Sequence, residues 1–140
     1  MTLNIQDLLQ RAYDENASDL HVTTGIPPVY RINGQLKQYG DVIVTAEMIE
    51  QMVKDILPAY KSAEFEEKGE TDFNYSLKDF CRFRVNAYHQ RNVGAIAARL
   101  ISSEIPTIDS LNMPKVLYDL AQKPQGLILV TGPTGSGKST

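Results

Sequence analysis

The feature that most constrains this chain is a glycine-rich loop that follows an apolar run. Residues 127–130 read LILV, and residues 132–139 read GPTGSGKS. A continuous apolar run is typical of a parallel strand that is covered on both faces. The spacing of the two glycines, the lysine and the hydroxyl residue matches the phosphate-binding loop of nucleoside-triphosphate-binding proteins. The pattern therefore predicts a buried strand, then a phosphate-binding loop, then the start of a helix.

Each residue type in this loop has a chemical role. Glycines let the backbone curl so that several N–H groups point at phosphate oxygens, and a helix starting there adds the positive end of its dipole. Lys138 is predicted to reach the β- and γ-phosphates of ATP, and the hydroxyl of Ser139 to bind Mg²⁺. The predicted nucleotide-binding residues of the loop are Gly132, Thr134, Gly135, Ser136, Gly137, Lys138, Ser139 and Thr140.

The position of the loop bears on activity. The sequence ends at Thr140, directly after the loop. In proteins with such loops, the acidic residue that helps to hold Mg²⁺ lies on a later strand. We therefore expect this chain to be the N-terminal part of a larger ATPase, and the 140 residues alone to be inactive.

Composition narrows the class further. The chain is 42% hydrophobic, so it can form a core. Its formal net charge is −3, which argues against a protein whose surface coats nucleic acid. Cys81 is the only cysteine, which excludes an intramolecular disulfide and favours a reducing compartment. The sequence shows neither a transmembrane segment nor a signal peptide, which predicts a cytoplasmic protein. His21 and His89 are isolated, so no metal-binding cluster is predicted outside the nucleotide site.

Helical periodicity appears twice in the first seventy residues. Apolar residues at helical spacing predict a helix over roughly the first sixteen residues, with Asn4 as its N-cap. Thr45 is predicted to cap a second helix, and a shorter helical piece should follow before Gly69. Asn33-Gly34 stands between two extended segments, which is the strongest short-range hairpin signal.

Strand periodicity dominates the remainder of this part. Short strands are predicted over residues 19–23 and 29–32. Apolar and polar residues then alternate along residues 72–77, 80–90 and 93–101, which predicts an antiparallel meander. Helices and strands in this order indicate an α+β layout.

A change of composition marks a boundary. Residues 102–113 lack periodicity and are predicted to be a linker. The α+β domain then covers residues 1–101, and a second domain begins over residues 114–140, where Pro114 is predicted to open a helix at its first position.

Positive charge is concentrated on the meander. Between residues 80 and 101 there are four arginines and no acidic residue. Arg82 and Arg84 fall on one strand face, so their guanidinium groups can converge on an anion. Two interpretations stand: the arginines contact nucleotide phosphates, or they form a solvated face paired with the acidic residues of segment 64–72. The four arginines are Arg82, Arg84, Arg91 and Arg99.

Six strings along the chain form a further pattern. They are residues 17–21 (ASDLH), 24–28 (TGIPP), 31–34 (RING), 70–73 (ETDF), 82–86 (RFRVN) and 126–140. Taken together, these strings resemble the PilT-type twitching-motility ATPases of the type II/IV secretion ATPase superfamily. By this resemblance SDLH and RING are shared widely among secretion ATPases, whereas GIPP and RFRVN favour the retraction branch.

The resemblance implies a PAS-like N-terminal domain joined by a linker to the start of a RecA-like ATPase domain. It implies a hexamer, peripheral at the cytoplasmic face of the inner membrane, in which ATP and Mg²⁺ lie between the two domains. Rotation of the domains would then drive type IV pilus retraction, with the inner-membrane platform protein of the pilus machinery as partner. By position, Arg82, Arg84 and Arg99 match the arginines that approach the phosphates, and Arg82, Arg99 and Lys138 are the predicted catalytic residues.

Other functions fit some of these features. An extension, secretion or DNA-uptake ATPase of the same superfamily would share the loop, although no direct contact with nucleic acid is predicted for this chain. A PAS-like interaction module with an idle phosphate loop is an alternative of another class. Nucleotide binding would separate that module from an ATPase.

Overall fold

The computed structural model describes residues 3–79, 81–90, 93–102, 105–133, 136–138 and 140, with only the backbone described at Gln90. The chain forms two compact units, Met1–Ser103 and Glu104–Thr140. Among the described residues, the first unit contains α1 (Ile5–Asp14), β1 (Asp19–Thr23), β2 (Val29–Ile32), β3 (Gln35–Gln38), α2 (Ala46–Ile56), a 3₁₀ turn (Ala59–Lys61), α3 (Ser62–Lys68), β4 (Glu70–Lys78), β5 (Cys81–Gln90) and β6 (Val93–Ile101). The second unit contains α4 (Val116–Ala121).

The predicted helix boundaries of the first unit are confirmed by their caps. The side chain of Asn4 accepts hydrogen bonds from the backbone N–H groups of the first turn of α1, and Thr45 does the same for Met48 at the start of α2. Gly69 ends α3 in the left-handed conformation, with φ of 72°. These side chains satisfy backbone groups that a helix end leaves without an intrahelical partner.

The predicted hairpin is also confirmed. Asn33 and Gly34 have φ of 50° and 77°, the two positive values that a type I′ turn requires. β2 and β3 pair on either side of this turn, with Ile32 opposite Gln35.

All six strands form one antiparallel sheet in the order β3-β2-β1-β6-β5-β4. The meander β4-β5-β6 occupies one half, as predicted. The two halves of the sheet are joined by the pairing of β1 with β6, in which Asp19 lies opposite Arg99. This central pairing joins the start of the unit to its end and therefore places the ASDLH string beside the last strand.

The two faces of the sheet differ in character. A single hydrophobic core contains the buried residues of α1 and α2 together with alternate strand residues. Val85 of β5, Ala98 of β6 and Leu20 of β1 follow one another across the sheet on this core side. Because side chains alternate along a strand, Arg84, Arg99 and Asp19 occupy the opposite face.

The second unit departs from two predictions. Leu127–Val130 forms no strand, and these four side chains are 53% to 82% exposed. A buried parallel strand needs neighbouring strands to pair with and helices to cover its faces. No described residue pairs with residues 127–130, so this apolar run stays irregular. α4 starts at Val116 with Lys115 as its N-cap, so Pro114 precedes the helix instead of occupying its first position.

Candidate nucleotide-phosphate loop and arginine face

The described part of the loop is organised by its lysine. Nζ of Lys138 donates hydrogen bonds to the carbonyl oxygens of Gly132 and Pro133, at 2.7 and 2.9 Å. The hydroxyl of Ser136 donates to the same Pro133 carbonyl at 2.6 Å. The ammonium group of Lys138 therefore lies over its own loop. It is close to the backbone that is predicted to surround the phosphate groups.

Two glycines of the loop have a steric role. A Cβ on Gly132 would come within 2.6 Å of the Ser136 hydroxyl oxygen. Gly137 has φ of 87°, which side-chain-bearing residues rarely adopt, and its carbonyl accepts a hydrogen bond from the N–H of Thr140 at 3.2 Å. Glycine at position 137 therefore permits the positive φ of this curl, whereas a Cβ at position 132 would require the Ser136 hydroxyl to move.

The remaining predicted residues of this loop lie outside the described residues. They are Thr134, Gly135 and Ser139. The assignment of the Ser139 hydroxyl to Mg²⁺ thus stays a prediction. The residues that are described fit a phosphate ligand, because Lys138 is exposed and its ammonium group can donate to phosphate oxygens in place of carbonyls.

Three arginines of the first unit, Arg82, Arg84 and Arg99, share the open face of the sheet. Arg82 and Arg84 are exposed and alternate with the buried Cys81, Phe83 and Val85. Arg84 lies opposite Arg99 in the β5–β6 register, so the structure brings these two arginines together from separate strands. Arg82 lies two residue pairs further along on the same face, opposite Ile101.

A polar groove of about 240 Å³ runs along this face. Small side chains make the depression, since Ala97 of β6 lies between Asn86 and His21 of the neighbouring strands. Arginine and carboxylate groups form its sides. The residues that line the groove are Asp19, His21, Asp72, Arg84, Asn86, Ala97, Ala98 and Arg99.

Asp19 is an acidic residue of the groove that contacts two arginines, Arg99 and Arg31. Its Oδ1 accepts a hydrogen bond from Nε of Arg99 at 3.0 Å, and its Oδ2 lies 3.5 Å from Nε of Arg31. Burial alone would raise the pKa of Asp19, but the hydrogen bonds from Arg99 and Ser18 outweigh it and hold that pKa below its usual value. Asp19 is therefore an anion in the folded protein at neutral pH.

The structure is compatible with both interpretations of the arginines. Asp72 of the acidic segment lines the same groove as Arg84 and Arg99, whereas Glu64 pairs with Lys61 and Lys68 and accepts a hydrogen bond from Thr71. Within the part of the chain that the structure describes, no ion pair involves Arg82 or Arg84, so their guanidinium groups can still bind an anion. Arg91 falls outside the described residues.

The two histidines occupy different faces. His21 lines the groove, whereas His89 stacks on Phe65 with ring centroids 5.0 Å apart and contacts the Gly69 carbonyl through Nδ1. In the described ranges, no group of three histidine, cysteine or acidic residues is placed to hold a metal ion. Cys81 is a free, buried thiol, and burial raises its pKa.

Sequence reasoning missed Asp19. It selected the arginines by charge and by strand periodicity, both of which are local. The signal that could have found Asp19 was the ASDLH string, where Ala17 and Leu20 are buried and the residues at positions 18 and 19 point elsewhere. The partner of Asp19 is 80 positions away, so no local pattern reveals it.

The six-stranded sheet and the glycine-rich loop can each be compared with those of known proteins. The chain belongs to the type II/IV secretion system protein family, whose match covers residues 2–140. It is 37% identical over 138 residues to the type IV pilus retractation ATPase PilT of Pseudomonas aeruginosa, and 33% identical over 138 residues to the type IV pilus ATPase PilU of the same organism. The resemblance drawn from the residue strings is thereby confirmed.

Solved structures support the same assignment. The pilus retraction motor PilT with bound ADP superimposes with a TM-score of 0.86 at 36% identity, over 99% of this chain. The six-stranded sheet with its helices matches the N-terminal domain of PilT-like ATPases, which confirms the predicted α+β fold class. The chain spans 40% of PilT and 36% of PilU by sequence, and 40% of the solved PilT chain. Among the described helices, none is long and apolar enough to cross a membrane.

Proposed function

We propose that this chain is the N-terminal part of an ATP-hydrolysing motor that powers type IV pilus retraction. The observation that carries the proposal is the GPTGSGKS loop at residues 132–139, in a chain 37% identical to a pilus retractation ATPase over 138 residues. The PilT structure with bound ADP supports nucleotide as the ligand. In this proposal residues 1–101 form a PAS-like domain, residues 102–113 a linker, and residues 114–140 the start of a RecA-like ATPase domain.

The phosphate loop would hold the nucleotide. Lys138 would exchange its two carbonyl acceptors, Gly132 and Pro133, for phosphate oxygens. The loop's N–H groups, including those of Gly137 and Thr140, would donate to the same phosphates. Mg²⁺, held by Ser139, would neutralise charge on the β- and γ-phosphates.

The open face of the sheet would supply positive charge. Arg82, Arg84 and Arg99 lie on that face, and the first two have no ion-pair partner among the described residues. Guanidinium groups bind phosphate through paired N–H donors and stabilise the charge that develops on a transferred phosphoryl group. We assign Arg82 and Arg99 to that catalytic task and Arg84 to nucleotide binding.

The assembly and its location follow from the same family. The whole protein would act as a hexamer, peripheral at the cytoplasmic face of the inner membrane. Rotation of its two domains around ATP would be transmitted to the platform protein of the pilus machinery. No transmembrane segment and no direct nucleic-acid contact are needed for this role.

A secretion ATPase is the second candidate, because the matching family is described as type II/IV secretion system protein. An extension or DNA-uptake ATPase of the superfamily would use the same loop and arginines. A PAS-like interaction module with an idle loop would use neither.

The first test is calorimetric titration of ATP and Mg²⁺ into the full-length protein that contains this chain, together with steady-state ATP turnover. We expect binding and hydrolysis, and we expect Lys138→Ala to abolish turnover because no other described side chain of the loop is a cation. Lys115→Ala, an exposed lysine before α4, is the matched control.

The outcomes separate the candidates. Absence of nucleotide binding in the full-length wild-type protein would leave the interaction module as the better account. Hydrolysis that Lys138→Ala does not change would contradict the assignment of the loop. Loss of twitching motility in cells carrying Lys138→Ala would favour retraction over secretion.

A further inference from the structure

Asp19 is held in place by its surroundings. Its strand β1 is paired on both sides, with β2 and β6, so its backbone is fixed in the middle of the sheet. The hydroxyl of the preceding residue, Ser18, donates to Oδ2 at 2.9 Å. The carboxylate side chain is only 12% exposed. A carboxylate fixed in this way can orient whatever it binds.

The side chain that Asp19 orients would otherwise be mobile. Arg99 is 74% exposed, and a free arginine side chain loses about 2 kcal/mol of rotamer entropy when it is fixed. Its hydrogen bond to Oδ1 uses Nε, which is one of the five N–H groups of the guanidinium. The exposed guanidinium can therefore donate to a second acceptor while Asp19 holds it.

The other oxygen of Asp19 has its own cation. Nε of Arg31 lies 3.5 Å from Oδ2, and Nη1 of Arg31 donates to the Gly34 carbonyl in the hairpin turn at 3.4 Å. The ASDLH and RING strings thus meet at one carboxylate. Arg84 lies opposite Arg99, so three guanidinium groups (Arg31, Arg84 and Arg99) stand near two carboxylates (Asp19 and Asp72), and the positive charge exceeds the negative charge by one.

We infer that Asp19 is a positioning residue, which orients the guanidinium of Arg99 toward the nucleotide phosphates. This inference rests on the proposed function, in which Arg99 contacts phosphate. The role resembles that of groups that orient metal or substrate ligands without touching the reacting atoms. Because such positioning acts when charge develops on the phosphoryl group, it affects turnover more than ground-state binding.

The test is Asp19→Asn in the full-length protein, measured by steady-state ATP turnover. Asparagine keeps the size of the side chain and removes its charge. We expect kcat to fall about tenfold while KM for ATP changes by less than about threefold. In an Arg99→Ala background, Asp19→Asn should change kcat by less than about twofold, because the residue that it orients is absent. Glu15→Gln, which removes a carboxylate from an arginine on α1, is the matched control and should leave kcat unchanged.

Each other outcome is decisive. If Arg99→Ala leaves kcat unchanged, the proposed role of Arg99 fails and this inference fails with it. If Arg99→Ala lowers kcat and Asp19→Asn does not, the inference alone is overturned. An equal effect of Asp19→Asn with and without Arg99 also overturns it. Should Asp19→Asn fail to fold, Ser18→Ala removes only the hydroxyl that orients Oδ2, and a smaller fall in kcat that depends on Arg99 is expected.

Discussion

The phenolic hydroxyl of Tyr30, on β2, donates a 3.0 Å hydrogen bond to the carbonyl oxygen of Leu8, on α1. Both residues are buried, at 3% exposure each. The bond joins the first helix to the sheet within the core, where a buried tyrosine hydroxyl needs a hydrogen-bond partner. Burial raises the pKa of Tyr30, because the charged phenolate would lose its hydration there.

We expect Tyr30→Phe to lower the free energy of unfolding by about 1 kcal/mol at neutral pH, since it removes one buried hydrogen bond. The pKa of Tyr30 is higher in the folded than in the unfolded protein, so its contribution is complete below about pH 10 and is lost as the pH rises further. The wild-type protein should therefore lose more stability above pH 10 than the variant. Urea unfolding at pH 7 and pH 11 measures both effects. Tyr60→Phe, at 78% exposure, is the control, and an equal alkaline loss in wild type and Tyr30→Phe would contradict the assignment.

A close approach between α2 and β6 supplies a second prediction. A Cβ on Gly94 would come within 2.8 Å of Cγ2 of Ile49, which is only 1% exposed. Gly94→Ala should therefore cost about 1–3 kcal/mol of stability through overpacking. The same substitution in an Ile49→Ala background should cost much less, because Cγ2 is gone. Thermal or urea unfolding of the four proteins completes the cycle, and additive costs would show that this contact does not limit the packing.

Local features of the fold were predictable from the sequence, but the pairing of β1 with β6 was not. Asn4, Thr45 and the Asn33-Gly34 turn were identified because caps and tight turns depend on neighbouring residues. The pairing of β1 with β6 depends on contacts between distant residues, which no local period encodes. The strand predicted at Leu127–Val130 was wrong for the same reason, because an apolar run becomes a strand only where other strands pair with it.

The candidate site divides in the same way. Period-two alternation placed Arg82 and Arg84 on one face, and the structure confirms that placement. The alternation could not show that Arg99 lies opposite Arg84 or that Asp19 binds Arg99, because the register between strands decides both. The roles of these residues in catalysis remain predictions.

The carboxylate of Asp19 leads to a third prediction, on stability against pH. Its pKa is lower in the folded than in the unfolded protein, so its contribution is present above about pH 4 and is lost as the pH falls below that. We expect that contribution to be about 1 kcal/mol, since its arginine partners are 39% and 74% exposed and solvent screens the pairs. Asp19→Asn should flatten the fall in urea midpoint between pH 5 and pH 3. Identical pH profiles in the two proteins would mean that the ion pairs contribute nothing to folding.

The last prediction concerns the arginine face itself. If Arg82 and Arg99 contact nucleotide phosphates, removing either guanidinium removes charge stabilisation from the transition state. We expect Arg82→Ala and Arg99→Ala each to lower kcat for ATP at least tenfold in the full-length protein. Arg91→Ala, from the same basic segment but not assigned to the site, should have a much smaller effect. Steady-state turnover with matched thermal unfolding measures this, because a loss of activity without a loss of stability locates the effect at the site. Equal losses in all three variants would identify the charges as a solvated face and remove the arginines from the mechanism.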